Sequence, residues 1–327
     1  SEGVGMIGGS RWTRRLLATR KQHRVFGRGS IHFLQPSNRK VLAYIRALED
    51  EPPMLCVANL SRASQAVELD LSNYAQRVPI SYNRVCLTPR SCAQQDCLRH
   101  TLAIDPAPAV QPQPVTDYYG NEIRFFSVQD PHDALAITAV SEVRLNPLLA
   151  PDPEATPAWE SVRDSLRRAE SPEVLDAYQF AFDRETTTIS HQLREYTAPF
   201  FAPGTPILVG AIGLMRRIYE DFAYDSEATT VSTPLDEVFR QRRGVCQDFA
   251  HVQIGCLRSI GLAARYVSGY IVPITAAGTE YVGAQASHAW LSVYAPGAGW
   301  VDLDPTNNVL PSGEHITIGW GRDYVDV

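Results

Sequence analysis

The chain has 327 residues, 44% of them hydrophobic and 20% charged, and a formal net charge of −6. This composition is that of a folded globular protein and excludes wholesale disorder. Because no stretch approaches the ~20 consecutive apolar residues of a membrane-spanning helix and no signal-peptide pattern opens the chain, we expect a cytoplasmic protein without a membrane partner.

The first 79 residues are basic, with 12 Lys+Arg against 6 Asp+Glu, whereas residues 80–327 carry 18 against 30. A basic segment raises the question of a nucleic-acid surface. It contains no helix-turn-helix, zinc-finger or RNP-like pattern, so we expect no nucleic-acid partner and interpret the excess as arginines on a solvated face. The segment predicts a short helix over 12–23 and then a small antiparallel sheet, with strands over 30–34, 40–46, 54–60 and 66–71.

A second β-rich stretch follows and ends near residue 150. It predicts strands over 84–88, 101–104, 122–128 and 135–143, and the segment Asp117–Asn121 is typical of a hairpin turn. Cys92, Cys97 and His100 lie close together in sequence, but a fourth ligand at zinc-like spacing is missing. We therefore expect no metal site, and nothing in the sequence calls for a cofactor.

The pattern becomes helical from Trp159 onward. Apolar residues three or four apart predict helices over 159–168, 172–182, 207–224 and 234–242. Another helix is predicted after Gly244. Strands return over 263–271, 287–294, 300–304 and 315–319. The expected fold class is thus α+β, with a small all-β domain over 1–79, a β-rich domain over 80–150 and an α+β core over 151–327.

Cys246 lies at the predicted start of a helix that runs to Ile260. Free backbone N–H groups and the positive end of the helix dipole stabilise a thiolate at such a position, which favours a reactive cysteine. The N–H of Cys246 is also a candidate oxyanion donor. Cys256 falls well inside the same helix and is interpreted as a small buried apolar residue.

Two later strands carry a candidate base and its partner. His288 alternates with apolar residues in 287–294, and Asp304 does so in 300–304. An antiparallel hairpin with both apolar sets on one face places His288 and Asp304 together on the other. Asp302 shares that face, so the alternation alone does not choose between the two carboxylates.

These residues suggest a thiol mechanism. Cys246 would attack an amide carbonyl, His288 would take the thiol proton and return it to the leaving amine, and an aspartate would orient the imidazole. His251 is a rival base that we interpret as structural. Asp248 and Arg265 are a candidate internal ion pair. Further candidates for the substrate wall or the oxyanion side are Tyr224, Gln247 and Trp290.

Several segments resemble the bacterial transglutaminase-like superfamily, namely GVCQDFAH from Gly244, GLAARYVSGY from Gly261, SHAW, GWVDLDPT and the stretch Ile316–Asp326. The resemblance implies a papain-like core with a Cys-His-Asp triad. Residues 82–145 resemble the β-rich domain that precedes this core in the family. By motif, the implied triad is Cys246, His288 and Asp304, the aspartate before Pro-Thr.

Residues 11–79 resemble a different family, in the segments RWTRR, FGRGS, PSNRKVLAY and VANLSR. These segments are similar to the C-terminal β-domain of trehalose synthase, an amylase-type glucosyltransferase. The catalytic barrel with its carboxylates is not within the segment, so the resemblance implies an accessory sheet or a fusion remnant and not glycoside chemistry. Contact with an α-glucan, through Trp12, Phe33 and Tyr44, is an alternative function of this part.

The leading hypothesis is a Cys-His-Asp thiol enzyme that acts on protein or peptide amides through a thioester, as a protease, an amidase or a transglutaminase-like acyltransferase. Water or an amine would be the acceptor. The alternatives are a carbohydrate-active or glucan-binding protein and a catalytically silent interaction module. Since the family usually continues for one or two strands past the point where this sequence stops, we expect an exposed sheet edge that allows self-association.

Overall fold

The computed structural model describes residues 28, 30–33, 41–48, 51–59, 81–132, 134–146, 148–184, 187, 189–230, 233–272, 281–284 and 286–327. The chain divides into two compact units, residues 1–81 with 129–133 and residues 82–128 with 134–327. The predicted helix over 12–23 and the predicted strand over 66–71 lie outside the described residues. No described helix has the length and apolar character needed to cross a bilayer.

The first unit contains a three-stranded antiparallel sheet. Its strands β1 (Ser30–Phe33), β2 (Val41–Leu48) and β3 (Glu51–Asn59) lie in sequence order. In the register, Ile31 pairs with Arg46, and the two-residue connection after Leu48 makes β2 and β3 a hairpin. The strands predicted over 30–34, 40–46 and 54–60 are confirmed to within a few residues.

The second unit begins with two small sheets. One has the order β4 (Ser81–Val85), β7 (Glu122–Val128), β6 (Pro114–Thr116), and the other pairs β5 (Gln95–Asp105) with β8 (Ala136–Leu145). The predicted turn joins β6 to β7: the Asp117 side chain accepts from the N–H of Tyr119 and of Asn121, and Gly120 has a φ of +78°. The three-residue strand β6 was too short for the sequence to indicate.

Six α-helices of the described residues follow: α1 (Trp159–Arg168), α2 (Pro172–Tyr178), α3 (His191–Thr197), α4 (Ile207–Asp221), α5 (Leu235–Gln241) and α6 (Cys246–Ser259). The sequence did not predict α3, because seven mostly polar residues give no periodic signal. Its start is fixed by Ser190, whose hydroxyl accepts from the N–H of Leu193 at 3.3 Å.

A four-stranded antiparallel sheet completes the second unit, in the order β13 (Gly299–Leu303), β12 (His288–Ala295), β11 (Ala264–Ile271), β14 (His315–Gly321). Helix α6 packs on β11 and β12, and every residue of α6 except Gln247 is buried. Two short strands, β9 (Ala223–Tyr224) and β10 (Arg243–Gly244), pair in parallel just before α6. The class is α+β, and the core is formed by residues of all six α-helices together with this sheet.

Two side-chain amides cover the outer edge of β14. Gln95 donates to the carbonyl of Thr317 at 2.7 Å and accepts from its N–H at 2.8 Å. Asn121 makes the same pair of bonds with Trp320, at 2.9 and 3.0 Å. Each amide thus takes the place of a neighbouring strand. The open edge that we expected is therefore not found along this part of β14, and self-association stays a prediction.

Replacing Asn121 with leucine is expected to lower the free energy of unfolding by about 1–3 kcal/mol for each backbone group of Trp320 left buried without a partner. Urea denaturation of the wild type and the variant measures the change. Gln113→Leu removes an exposed amide and is the matched control, expected to change stability by less than about 0.5 kcal/mol. Equal stability of the two variants would contradict the edge-covering role.

Candidate functional site

The start of α6 is built around Asp248. Its carboxylate accepts from the N–H of Val245 at 2.8 Å and from the hydroxyl of Thr229 at 2.6 Å. A Cβ at position 244 would overlap that carboxylate, so Gly244 is required for the turn into the helix. Cys246 is the first residue of α6 and is almost fully buried. The backbone thus presents Cys246 at a helix N-terminus, as the sequence predicts.

His288 and Asp304 meet across the hairpin. The Nε2 atom of His288 lies 2.8 Å from Oδ2 of Asp304, and both side chains are fully buried. The two strands form the predicted hairpin, in a register that sets Ser292 opposite Asp302. Asp304 follows β13 and is bridged to Val309, which holds it diagonally across from His288. Asp304 is thus the aspartate that the structure brings to this imidazole.

Both carboxylate oxygens of Asp304 have several hydrogen-bond partners. Its Oδ2 also accepts from Nδ2 of Asn307 at 2.9 Å and lies 3.0 Å from Nε2 of His315. Its Oδ1 accepts from the N–H of Thr306 at 3.0 Å and from that of Asn307. Burial alone would raise the pKa of Asp304, but the bonds and charges of the two imidazoles outweigh it and lower that pKa. Asp304 is therefore an ionised carboxylate.

His315 is the residue that the sequence reasoning missed. It opens β14, where it pairs with Ile271, and its ring packs edge-on against Trp290 at 5.1 Å. No spacing or alternation marks His315, because β11 and β12 separate β14 from β13 in the sheet. Only the order of the strands brings this second imidazole to Asp304.

His288, Asp304 and His315 have ligand atoms within 4.8 Å of one another, as a metal site would. Both imidazoles, however, direct Nε2 at the same carboxylate oxygen. Asn307 and Thr306 fill the remaining positions around that carboxylate. The donor set fits a hydrogen-bonded cluster better than a cation site.

The His288 ring also interacts with Cys246. Since Nε2 is taken by Asp304, Nδ1 is the nitrogen left for the thiol. The contact is looser than an ordinary hydrogen bond, because nothing in the described part of the chain bonds to Nδ1 with normal geometry. A Cβ at position 283 would lie 2.9 Å from Nδ1, and Gly283 has a φ of +84°. Glycine there keeps the space in front of Nδ1 open.

The electrostatics of His288 favour its charged form. Burial lowers the pKa of this imidazole, but hydrogen bonding with Asp304 and Cys246, together with their charges, raises it from 6.5 to about 9. An imidazolium between a carboxylate and a thiol is the arrangement that stabilises a thiolate. The site can therefore hold a proton on His288 next to Cys246 at neutral pH.

The three further candidates lie in different surroundings. Tyr224 is 41% exposed beside Gly244, and burial and the charge of Cys246 raise its pKa. Gln247 is half-buried in the first turn of α6. Trp290 is fully buried behind His288, with ring centroids 6.1 Å apart, and its N–H is donated to Asp302 at 3.2 Å. The N–H of Trp290 is thus committed to Asp302, whereas Tyr224 pairs with Gly244 and Gln247 directly follows Cys246.

Asp302 belongs to a neighbouring network. It accepts from Trp290 and from the hydroxyl of Ser292, to which Nε of Arg265 donates at 3.2 Å. The Arg265 guanidinium also lies 3.7 Å from the ring centre of Trp320. The expected ion pair between Asp248 and Arg265 is wrong. Asp248 bonds to Val245 and Thr229 instead, and Arg265 bonds to Ser292.

His251 is buried inside the protein and away from this cluster. Its Nε2 accepts from the N–H of Tyr324 at 3.3 Å, and its ring packs at 5.0 Å from that of Tyr266. Burial lowers the pKa of His251 to about 4, so its imidazole is neutral. These contacts agree with a structural role.

The chain is similar to two known protein families in its C-terminal three quarters. The family model of the transglutaminase-like superfamily matches residues 195–305, and that of the bacterial transglutaminase-like N-terminal region matches 73–144. Uncharacterized proteins of Mycobacterium tuberculosis and Mycobacterium bovis are each 43% identical over 263 residues, which cover 78% of this chain and 82% of theirs. The chain belongs to the transglutaminase-like superfamily.

A solved structure has the same fold. The "putative cysteine protease" from Cytophaga hutchinsonii superposes with a TM-score of 0.60 at 18% identity, over 77% of this chain and 80% of that one. At this identity the likeness concerns the fold alone. It agrees with the α+β architecture of residues 82–327.

The N-terminal part has separate relatives. The family model of the maltogenic amylase C-terminal domain matches residues 31–90. Trehalose synthase of Pimelobacter is 47% identical over 72 residues, and that of Thermus thermophilus is 51% identical over 70. Each match covers 21% of this chain but only 13% and 7% of those enzymes. The similarity to trehalose synthase expected from the sequence is confirmed.

Proposed function

We propose that the chain is a thiol enzyme that cleaves or transfers amide bonds through a thioester, with Cys246 as nucleophile, His288 as base and acid, and Asp304 as the group that orients His288. The observation that carries the proposal is that the two ring nitrogens of His288 have different surroundings. Asp304 takes Nε2, which leaves Nδ1 as the nitrogen available to the thiol of Cys246, with which His288 interacts.

The chemistry follows from that arrangement. Nδ1 of His288 takes the proton of the Cys246 thiol, and the sulfur bonds to the carbonyl carbon of the amide. The oxyanion that forms lies near the unpaired N–H groups at the start of α6. His288 returns the proton to the nitrogen as the C–N bond breaks, which releases an amine and leaves a thioester. Water or an amine then attacks the thioester, with His288 again as base.

The residues next to Cys246 and the family assignment bear on the choice of substrate. Tyr224 and Gln247 flank Cys246 and are the residues we propose to contact the acyl group. The superfamily assignment supports a thiol enzyme that acts on protein or peptide amides. Hydrolysis and amine transfer differ only in the second step, so the same triad serves both.

Alkylation tests the proposal directly. Cys246 is expected to react with iodoacetamide at neutral pH at least about tenfold faster than the other cysteines, because a paired imidazolium stabilises its thiolate. Burial raises the pKa of Cys256 to about 12 and that of Cys86 to about 11, which makes both slow. Peptide mass spectrometry over time measures the rates. Equal labelling of all six cysteines would exclude a special thiol at position 246.

A substrate panel extends the test. Casein and glutamine peptides, with and without an added primary amine, are expected to be turned over by the wild type and by Cys256→Ala. Cys246→Ala is expected to be inactive on all of them. Product release without the amine assigns hydrolysis, and amine incorporation assigns acyl transfer.

The matches to the amylase C-terminal domain and to trehalose synthase favour a second candidate function for residues 11–79. We propose that this part contacts α-glucan chains. Retention of the full chain on immobilised maltodextrin, released by soluble maltodextrin, would support it, and passage without delay would exclude it.

A further inference from the structure

The end of α6 opposite Cys246 opens into a cleft of about 400 Å³. α6, α1 and α3 contribute its walls, and Gly261 closes it just past the end of α6. The lining residues are Trp159, Arg163, Arg167, Ile189, Arg194, Arg258, Ser259, Ile260 and Gly261. The volume lies in the range of small-molecule sites, about 300–1,000 Å³.

The charge of this cleft is one-sided. Four of its lining residues are arginines, and none is acidic, although the chain as a whole carries −6. Trp159, Arg163 and Arg167 are four residues apart on α1 and so share one face of that helix. Arg194 comes from α3, and Arg258 comes from α6. Arginines from three helices thus line one concave surface.

The outer arginines have hydrogen-bonding capacity to spare. Arg163 uses Nε for Asp164 at 2.9 Å, and Arg194 uses Nε for the carbonyl of Ser259 at 3.0 Å. Within the described chain, the terminal nitrogens of both side chains and the whole guanidinium of Arg167 donate no hydrogen bond. A Cβ built on Gly261 would lie 3.1 Å from Arg163 and 3.8 Å from Nη2 of Arg167, so both crowd the end of α6.

Arg258 forms the floor of the cleft. It is fully buried, and its hydrogen bonds go to neutral oxygens, at 2.6–2.8 Å, on Phe180, Thr187, Ala264 and Arg322. Burial lowers its pKa to about 9, which still leaves it charged at neutral pH. The charges of Asp323 and Asp326 raise this pKa and so oppose the effect of burial.

Capping of α6 explains only part of this cluster. Arginines near a helix C-terminus interact well with its carbonyls, and Arg194 does so through one nitrogen. That role needs neither Arg163 nor Arg167, nor a concave space between them. The charges of Arg163, Arg167 and Arg168 also help to lower the pKa of the nearby Asp164, after its hydrogen bond with Arg163.

We propose that this cleft binds a small phosphorylated ligand, with the phosphate held by Arg163, Arg167 and Arg194 and the remainder of the ligand against Trp159. Planar guanidinium groups match phosphate oxygens with paired, charge-assisted hydrogen bonds. The site lies about 21 Å from Cys246, the length of the 14-residue helix α6, so it does not depend on the thiol chemistry.

Calorimetric titration of the full chain at constant ionic strength tests the site, with inorganic phosphate and phenyl phosphate as probes. We expect one site per chain. Arg167→Gln/Arg194→Gln is expected to weaken both probes at least about tenfold. Arg168→Gln is the matched control, because Arg168 is exposed, pairs with Glu170 and does not line the cleft. The control is expected to bind like the wild type.

The relative affinity of the two probes distinguishes between two kinds of ligand. Tighter binding of phenyl phosphate assigns a phosphate ester, and equal binding of the two probes assigns free phosphate. No binding at about 10 mM probe, or the same loss in Arg168→Gln as in the double variant, would overturn the proposal. Circular dichroism shows whether the double variant is folded, and Arg167→Gln alone serves if it is not.

Discussion

Replacing Asp304 with asparagine is expected to lower amide turnover by about 10²–10⁴-fold while the protein stays folded. The carboxylate can only accept at Nε2 of His288, which fixes the proton on Nε2 and leaves Nδ1 free to take the thiol proton. An asparagine that turns its NH₂ to Nε2 selects the opposite tautomer, with a hydrogen on Nδ1. The base then faces Cys246 already protonated.

The pH profile distinguishes this effect from a simple loss of stability. In the wild type the pKa of His288 is raised to about 9, so the imidazolium persists at neutral pH and activity falls as pH rises through about 9. Without the charge and hydrogen bond of Asp304, the pKa of His288 drops, and the basic limb moves to lower pH. The measurement is kcat/KM against pH, together with the alkylation rate of Cys246.

Asp302→Asn is the matched control. Asp302 lies two residues away but bonds to Trp290 and Ser292, and not to His288. Most activity and an unshifted basic limb are expected in this variant. A loss as large as that of Asp304→Asn would mean that the whole strand end, and not the bond to His288, governs the rate.

His315 gives the second large effect. His315→Met removes a donor from Oδ2 of Asp304 but keeps the size of the side chain, whereas His315→Gln keeps an N–H near the position of Nε2. We expect the methionine variant to lose about tenfold in kcat and the glutamine variant to recover most of it. Steady-state kinetics of the two variants, checked by urea unfolding, measures the difference.

The acidic side of the profile carries the diagnostic readout for His315. His288 and His315 together lower the pKa of Asp304, so removing the His315 bond raises that pKa. Protonation of Asp304 then begins at a higher pH, and the acidic limb of kcat moves upward in His315→Met. If the methionine and glutamine variants gave the same rate and profile, His315 would be filling space only.

The hairpin could be predicted from the sequence because its two strands alternate strictly. Polar and apolar residues change sides at every step in 287–294 and 300–304, so burying both apolar sets fixes which face each residue takes. The observed pairing, with Ser292 opposite Asp302, has this arrangement of faces. The choice of Asp304 over Asp302 needed the family motif, because both carboxylates point to the same side.

Residues joined through distant strands could not be predicted. His315 reaches Asp304 because β14 lies beside β11, and the two amides of Gln95 and Asn121 reach β14 from about 200 residues away. No local pattern encodes such contacts. The predicted ion pair between Asp248 and Arg265 is wrong for the same reason, namely that the actual contact is not encoded locally. Asp248 instead accepts from Thr229, which lies in an irregular segment with no periodic signal.

The amide bonds of Gln95 and Asn121 with β14 also limit where the chain can be divided. A version cut at residue 151 would keep the triad but strip those partners from the edge of the sheet. Such a fragment is expected to aggregate, since bare strand edges pair with one another. A cut before residue 81 breaks none of these bonds. Every cut between residues 121 and 317 separates both amides from β14, so we expect the segment from Gln95 to Trp320 to fold as one piece.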